Sequence, residues 1–153
     1  MNTAPIRTEA ILPRIDGITR NITKLRKLGK HPLEEFEKRD DVFDLSQHHL
    51  RLALEGVFHI GSHILARLPG SRVTSYKEIA SELTNRGVVD KQFGNEKLIK
   101  MAGYRTRLTH FYQDVTPKEI YEIISNDLGD IEVFLVGIKD VLKDPEKFNL
   151  SIS

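Results

Sequence analysis

The sequence predicts an all-α fold: an antiparallel up-and-down bundle of four long helices plus one short helix. Three observations predict it. Apolar residues recur at steps of three and four along most of the chain, strand-like alternation is absent apart from the Val88-Val89 pair, and glycine or proline punctuates the gaps between periodic runs. There are no internal repeats and no low-complexity segments.

The first stripe is Ile11, Ile15, Ile18, Ile22 and Leu25, one face of a helix that the spacing starts near Pro13, where a missing N–H costs least. Gly29 stops it, and His31-Pro32 makes the connection extended. Residues 33–43 carry Phe36 among many charges and read as an irregular turn or a helical start. Leu54, Val57, Phe58, Gly61, Ile64, Leu65 and Leu68 then define a long helix from about 44 to about 68, ending before Pro69-Gly70. Ser75-Tyr76-Lys77-Glu78 is a capping box opening a short helix that Gly87 closes. A further helix runs from about 90 or 95 to about 113, with Gly94-Asn95 a candidate break. Thr116 as cap, Pro117 at the first helical position and Glu119 behind them open the last long stripe, Ile120, Ile123, Ile124, Leu128, Ile131, Leu135, Ile138 and Leu142. The tail beyond Pro145 is expected to be loosely held.

A chain of 153 residues fits one domain, 1–153 with a core over about 8–143, and can bury about two-thirds of its unfolded surface. There is no cysteine, which excludes disulfides, thiolate zinc sites, Fe–S clusters and a cysteine nucleophile. No apolar run reaches the roughly 20 residues that span a bilayer, and Met1-Asn2-Thr3-Ala4-Pro5 lacks the regions of a signal peptide, so a cytoplasmic protein without membrane contact is expected. The net charge of +1 conceals 23 basic and 22 acidic residues, so any anion-binding surface must come from local clustering. Two acid-free stretches qualify. One runs from Gly17 to Leu33 with Arg20, Lys24, Arg26, Lys27 and Lys30; the other holds Lys97, Lys100, Arg105 and Arg107.

The unusual segment is Met101 to Tyr112. On a helical wheel Arg105 falls inside the apolar arc of Leu98, Met101, Leu108 and Tyr112, where a guanidinium needs an anionic or hydrogen-bonding partner. His110 lies about 140° from it, so the two converge only around a cleft, through a distorted helix or with a second subunit. Structural ion pairs are commoner than active sites, and a core arginine paired with a carboxylate is the plain reading. The functional reading is a phosphate-handling site, because arginine offers a planar fork for phosphate oxygens and histidine exchanges protons near neutrality.

The run Gly103-Tyr104-Arg105-Thr106-Arg107-Leu108-Thr109-His110-Phe111-Tyr112 resembles the R-x4-H-x-Y signature of HepT-like proteins of the HEPN superfamily, the toxin halves of HEPN–MNT toxin–antitoxin pairs. The preceding Lys-Met-Ala-Gly-Tyr, the following Asp114-Val115 and the order of helices agree with it. The resemblance implies a homodimeric helical bundle whose motif helices face each other across a cleft. It also implies a metal-independent RNA endonuclease acting on tRNA or mRNA, with no cofactor. By the same resemblance Arg105 holds the scissile phosphate and His110 is the general acid or base, leaving 2′,3′-cyclic phosphate ends. Tyr112 matches the tyrosine that the partner nucleotidyltransferase, the antitoxin, modifies with AMP. Beside them, Thr106 and Arg107 are candidate auxiliary phosphate contacts, Arg107 because it belongs to the acid-free stretch that flanks the motif. Thr106 departs from the asparagine or aspartate usual after the motif arginine, and this favours a second reading: a non-catalytic helical partner that binds a nucleotide or the nucleotidyltransferase.

His59 and His63 have the i, i+4 spacing of two metal ligands, but the sequence His59-Ile60-Gly61-Ser62-His63 lacks the glutamate of a zinc-protease motif. Polar contacts within the bundle are the expectation for both, and His31, His48 and His49 are expected at the surface. No phosphate-cradling Gly-x-x-x-x-Gly-Lys loop and no Gly-x-Ser-x-Gly elbow is present, which disfavours a nucleotide-driven motor and a serine hydrolase.

Overall fold

The computed structural model describes residues 4–110 and 114–153. Among them the chain is all-α: α1 (Thr8–Leu28), α2 (Leu33–Lys38), α3 (Asp40–Leu65), α4 (Tyr76–Asn85), α5 (Lys91–Phe93), α6 (Ile99–His110), α7 (Pro117–Asn126) and α8 (Leu128–Lys143). The long helices α1 and α3 pack side by side as the centre of the bundle. The five apolar residues of the first stripe are buried on α1, and α3 buries Leu54, Val57, Phe58, Ile60, Ile64 and Leu65. Gly56 permits the close approach, since a Cβ there would stand 2.7 Å from Ile18 Cγ1.

The predicted caps form. Ser75 Oγ accepts from Glu78 N at 3.1 Å, and Thr116 Oγ1 accepts from Glu119 N at 3.2 Å. The Glu78 carboxylate reaches past Ser75 to the backbone N–H of Thr74 at 2.7 Å, which displaces the second half of the box by one residue.

Several boundaries differ from expectation, each for a tertiary reason. α1 begins at Thr8, ahead of Pro13, and tolerates that proline inside it. Burial of Ile6 and Ile11 holds the extra turn, and the backbone N–H of Arg7 is satisfied by His63 Nε2 at 3.1 Å. α3 starts at Asp40, since Val42 is core and Asp40 and Asp41 suit a helix N-terminus. The break at Gly94-Asn95 is a π turn, Gly94–Leu98, that joins α5 to α6 without interruption; Gly94 lies directly against Thr84 of α4, leaving no room for a side chain. The last stripe is two helices rather than one. Asp127 is a one-residue turn that ends α7 and precedes α8, and its carboxylate lies 3.6 Å from Lys100 Nζ and 3.5 Å from the Tyr104 hydroxyl. Val88 and Val89 are buried in a turn and form no strand. The tail is held rather than loose: a 3₁₀ turn, Pro145–Phe148, leads to buried Leu150 and to a parallel bridge between Ile6 and Ile152. Ile6 N donates to Ser151 O at 2.7 Å and Ser153 N donates to Ile6 O at 3.0 Å, two backbone hydrogen bonds that tie the tail to the start of the chain's described part.

Candidate functional site

The site is built on α6. Met101, Ala102, Arg105 and Leu108 are its buried face, so Arg105 lies in the apolar arc as the wheel requires. Arg105 is 7% exposed. Its guanidinium carbon sits 5.0 Å from the ring centroid of Tyr76, at the start of α4, and Nη2 lies 3.5 Å from Glu55 Oε2 on α3. Nε and Nη1 have no hydrogen-bond partner among the described residues. A buried cation therefore has one face covered by an aromatic ring, one long ion pair, and donors that the described residues leave unused.

His110 is the last residue of α6 and is exposed. Five helical residues place it about 7.5 Å along the axis and about 140° round from Arg105. The two do not share a face of the helix. Tyr112 lies outside the described residues.

The auxiliary residues are occupied by other contacts. Arg107 Nη1 pairs with Glu119 of α7 at 2.6 Å, and Nη2 donates to the Asp114 carbonyl at 3.3 Å. Thr106 Oγ1 donates to the Ala102 carbonyl of its own helix at 3.1 Å. In the first basic stretch, Arg20 is paired with Asp16 and Arg26 with Glu132 of α8. Lys100 pairs with Asp127 and lies over the Tyr104 ring.

The histidines of α3 are held by polar contacts. Arg14 Nη1 donates to His59 Nδ1 at 2.7 Å, His63 accepts from Arg7, and His49 meets Asn21 Oδ1 at 2.9 Å. His49 is half-buried rather than a plain surface residue. Burial pushes the His59 and His63 imidazoles below their ordinary range, and neighbouring arginines push further: Arg14 and Arg105 at His59, Arg67, Arg7 and Arg14 at His63. No group of three or more potential metal ligands is assembled among the described residues.

Comparison with known proteins decides the family. The model of the family described as ribonuclease HepT-like matches residues 18–138. The chain belongs to the HepT-like family. It is 23% identical over 136 residues to the tRNA nuclease HepT of Aphanizomenon flos-aquae, covering 89% of this chain and 92% of that one. Its fold is that of a chain in a mutant MntA-HpeT toxin–antitoxin crystal structure, with a TM-score of 0.77, 21% identity, and 86% and 98% of the two chains covered. A cytosolic protein of unknown function from Bacillus subtilis, YutE, is also similar, with a TM-score of 0.61, 22% identity, and 82% and 90% covered.

Sequence reasoning singled out the HepT-like arginine but missed the two side chains that hold it. Glu55 carries a signal in hindsight, being the only acid between Asp44 and Glu78. Tyr76 carried none, because its place in a capping box accounted for it.

Proposed function

We propose that this HepT-like chain is the endoribonuclease toxin of a toxin–antitoxin pair, acting in the cytoplasm on tRNA or mRNA. One observation carries the reading: the buried Arg105 guanidinium, backed by Tyr76, with Nε and Nη1 unpartnered among the described residues. A structural arginine uses its donors. Unused donors in a low-dielectric setting suit an oxyanion that arrives with the substrate. The similarity to a tRNA nuclease supports RNA as that substrate.

In the proposed reaction the ribose 2′-oxygen attacks the adjacent phosphorus, the P–O5′ bond breaks, and the products are a 2′,3′-cyclic phosphate and a 5′-hydroxyl. One proton leaves the 2′-hydroxyl and one is gained by the 5′-oxygen. His110 handles one of these transfers, and Arg105 stabilises the charge that builds on the phosphate oxygens. Both functions come from side chains, so the reaction proceeds without a metal. A homodimer with its α6 helices across one cleft brings His110 of one copy toward Arg105 of the other, which a single helix face does not. Tyr112 is the site of regulation: the nucleotidyltransferase antitoxin transfers AMP from ATP to its hydroxyl and releases pyrophosphate. The added charge and bulk exclude RNA from the cleft.

Thr106 favours a second reading. With its hydroxyl donated to Ala102, it offers the phosphate no hydrogen, as expected of a partner that binds and does not cleave.

The test is cleavage of end-labelled total tRNA in EDTA by protein free of its antitoxin and unmodified at Tyr112 by mass. Wild type is expected to leave cyclic phosphate ends, with Arg105→Ala and His110→Ala each slower by about 100-fold or more. Folded wild-type protein that cleaves neither tRNA nor mRNA overturns the nuclease and leaves the binding partner.

A further inference from the structure

We infer that Arg14 and His59 form a second phosphate subsite, which holds the RNA backbone beside the phosphate bound at Arg105. The inference rests on the RNA-cleavage reading and extends it from one phosphate to the path of the strand.

The geometry is a row across three helices. Arg105 of α6 pairs with Glu55 of α3; His59 follows Glu55 by one turn; Arg14 of α1 donates to His59. One turn advances about 6 Å, so Glu55 and His59 lie on one face of α3, with buried Arg105 against the first and exposed Arg14 against the second. Between α1 and α3 lies a groove of about 220 Å³ whose lining includes Arg14, Gly17, Asn21, Glu55 and His59. The lack of a side chain at Gly56 brings the helices close enough for Arg14 and His59 to meet.

Charge marks this groove as anion-binding. Arg7, Arg20, Arg26, Arg39, Arg86 and Arg107 are each neutralised by a carboxylate. Arg14, like Arg51, Arg67 and Arg72, is in no ion pair among the described residues; of these four it alone lines this groove, and its hydrogen bond goes to a neutral acceptor. Because a guanidinium only donates, His59 accepts at Nδ1 and carries its proton on Nε2. Both residues are exposed. Counting Arg14 and Arg105 against Glu55, the row carries one net positive charge with the imidazole neutral. Among the charges that act on His59, Arg14 lowers its pKa more than Glu55 raises it, and Arg105 lowers it further. The field at the imidazole is therefore cationic, which suits a phosphate.

The test measures binding of a fluorescent single-stranded RNA to the full chain at several salt concentrations, with His110→Ala in every protein to prevent cleavage. Arg14→Gln is expected to weaken binding about 3- to 10-fold at low salt and to flatten the log–log salt dependence by about 0.7, the loss of one phosphate contact. Arg14→Lys keeps the slope, His59→Gln weakens binding less than Arg14→Gln, and Lys143→Gln on α8 changes neither quantity. Circular dichroism melts confirm that each variant is folded. If Arg105→Gln weakens binding while Arg14→Gln and His59→Gln match the parent in affinity and slope, the subsite is overturned and the RNA reading stands. If Arg105→Gln changes neither binding nor, with His110 restored, cleavage, the RNA reading itself fails and the subsite falls with it.

Discussion

Two arginines, Arg105 and Arg107, sit two residues apart on α6 and face different parts of the molecule. On the α7 side, Arg107 is half-buried and spends itself on Glu119 and the Asp114 carbonyl. On the α3–α4 side, Arg105 is more deeply buried and less well satisfied, with one ion pair of 3.5 Å and two nitrogens unpartnered among the described residues. Were burial alone a sign of structural work, Arg105 would be the better-paired group. The difference teaches that the decisive observation is how many donors the fold leaves unused, because an unused buried donor costs stability and persists only where something else needs it.

The largest effect is expected from exchanging these arginines for apolar residues. Arg105→Met should lower RNA cleavage about 100-fold or more while leaving the denaturation midpoint equal to wild type or higher, since replacing a poorly satisfied buried cation by a hydrophobe is neutral or stabilising. Arg107→Met should do the reverse, losing about 0.5 kcal/mol of stability with cleavage within a few-fold of wild type. Urea titrations and single-turnover cleavage of the same preparations check both halves. A loss of several kcal/mol in Arg105→Met would make it the structural arginine and erase the contrast.

Next in size is Glu55→Gln. Glu55 competes with any phosphate for Nη2 of Arg105, so its neutral form should bind RNA a few-fold more tightly at low salt, measured by anisotropy. Glu119→Gln, which frees Arg107 in the same way, should leave RNA affinity within about two-fold of wild type if Arg107 faces α7 and not the substrate. A double-mutant cycle on Arg107 and Glu119 should give a coupling of about 0.5 kcal/mol, since both side chains are partly solvated.

How far the sequence carries this contrast can be argued residue by residue. The wheel alone set Arg105 in the apolar arc, because the period of α6 is regular from Ile99 onward. Thr116, Pro117 and Gly29 mark helix ends by local chemistry and needed no tertiary knowledge. The division of α7 from α8 was invisible, because Ile124, Leu128 and Ile131 keep their steps of four and three across Asp127, and periodicity does not register a one-residue turn. The partners were invisible for a different reason. Glu55 and Glu119 lie far from the arginines in sequence, and only packing of α3, α4 and α7 on α6 decides which arginine is matched and which is left short.

The smallest effect reads the same contrast at a distance, through His59. Burial depresses its pKa first, then Arg14; Glu55 raises it, and Arg105 lowers it further. Arg107 is not among the charges that act on it. Arg105→Gln should therefore raise the His59 pKa, Glu55→Gln should lower it, and Arg107→Gln should leave it unmoved, all followed by NMR of the imidazole. The sign carries into stability. A histidine whose pKa is lower folded than unfolded binds fewer protons in the native state, so its contribution is present above the unfolded value of about 6.5 and is lost as pH falls from there through the lower folded value. His49 and His63 share the direction, so urea midpoints of the wild type should fall from pH 7.5 to pH 5. The fall should be shallower in Arg14→Gln, where His59 loses its strongest cationic neighbour. An equal fall in Arg14→Gln and wild type would mean that Arg14 does not bear on His59 in solution, and the row from Arg105 through Glu55 to Arg14 would end at the carboxylate.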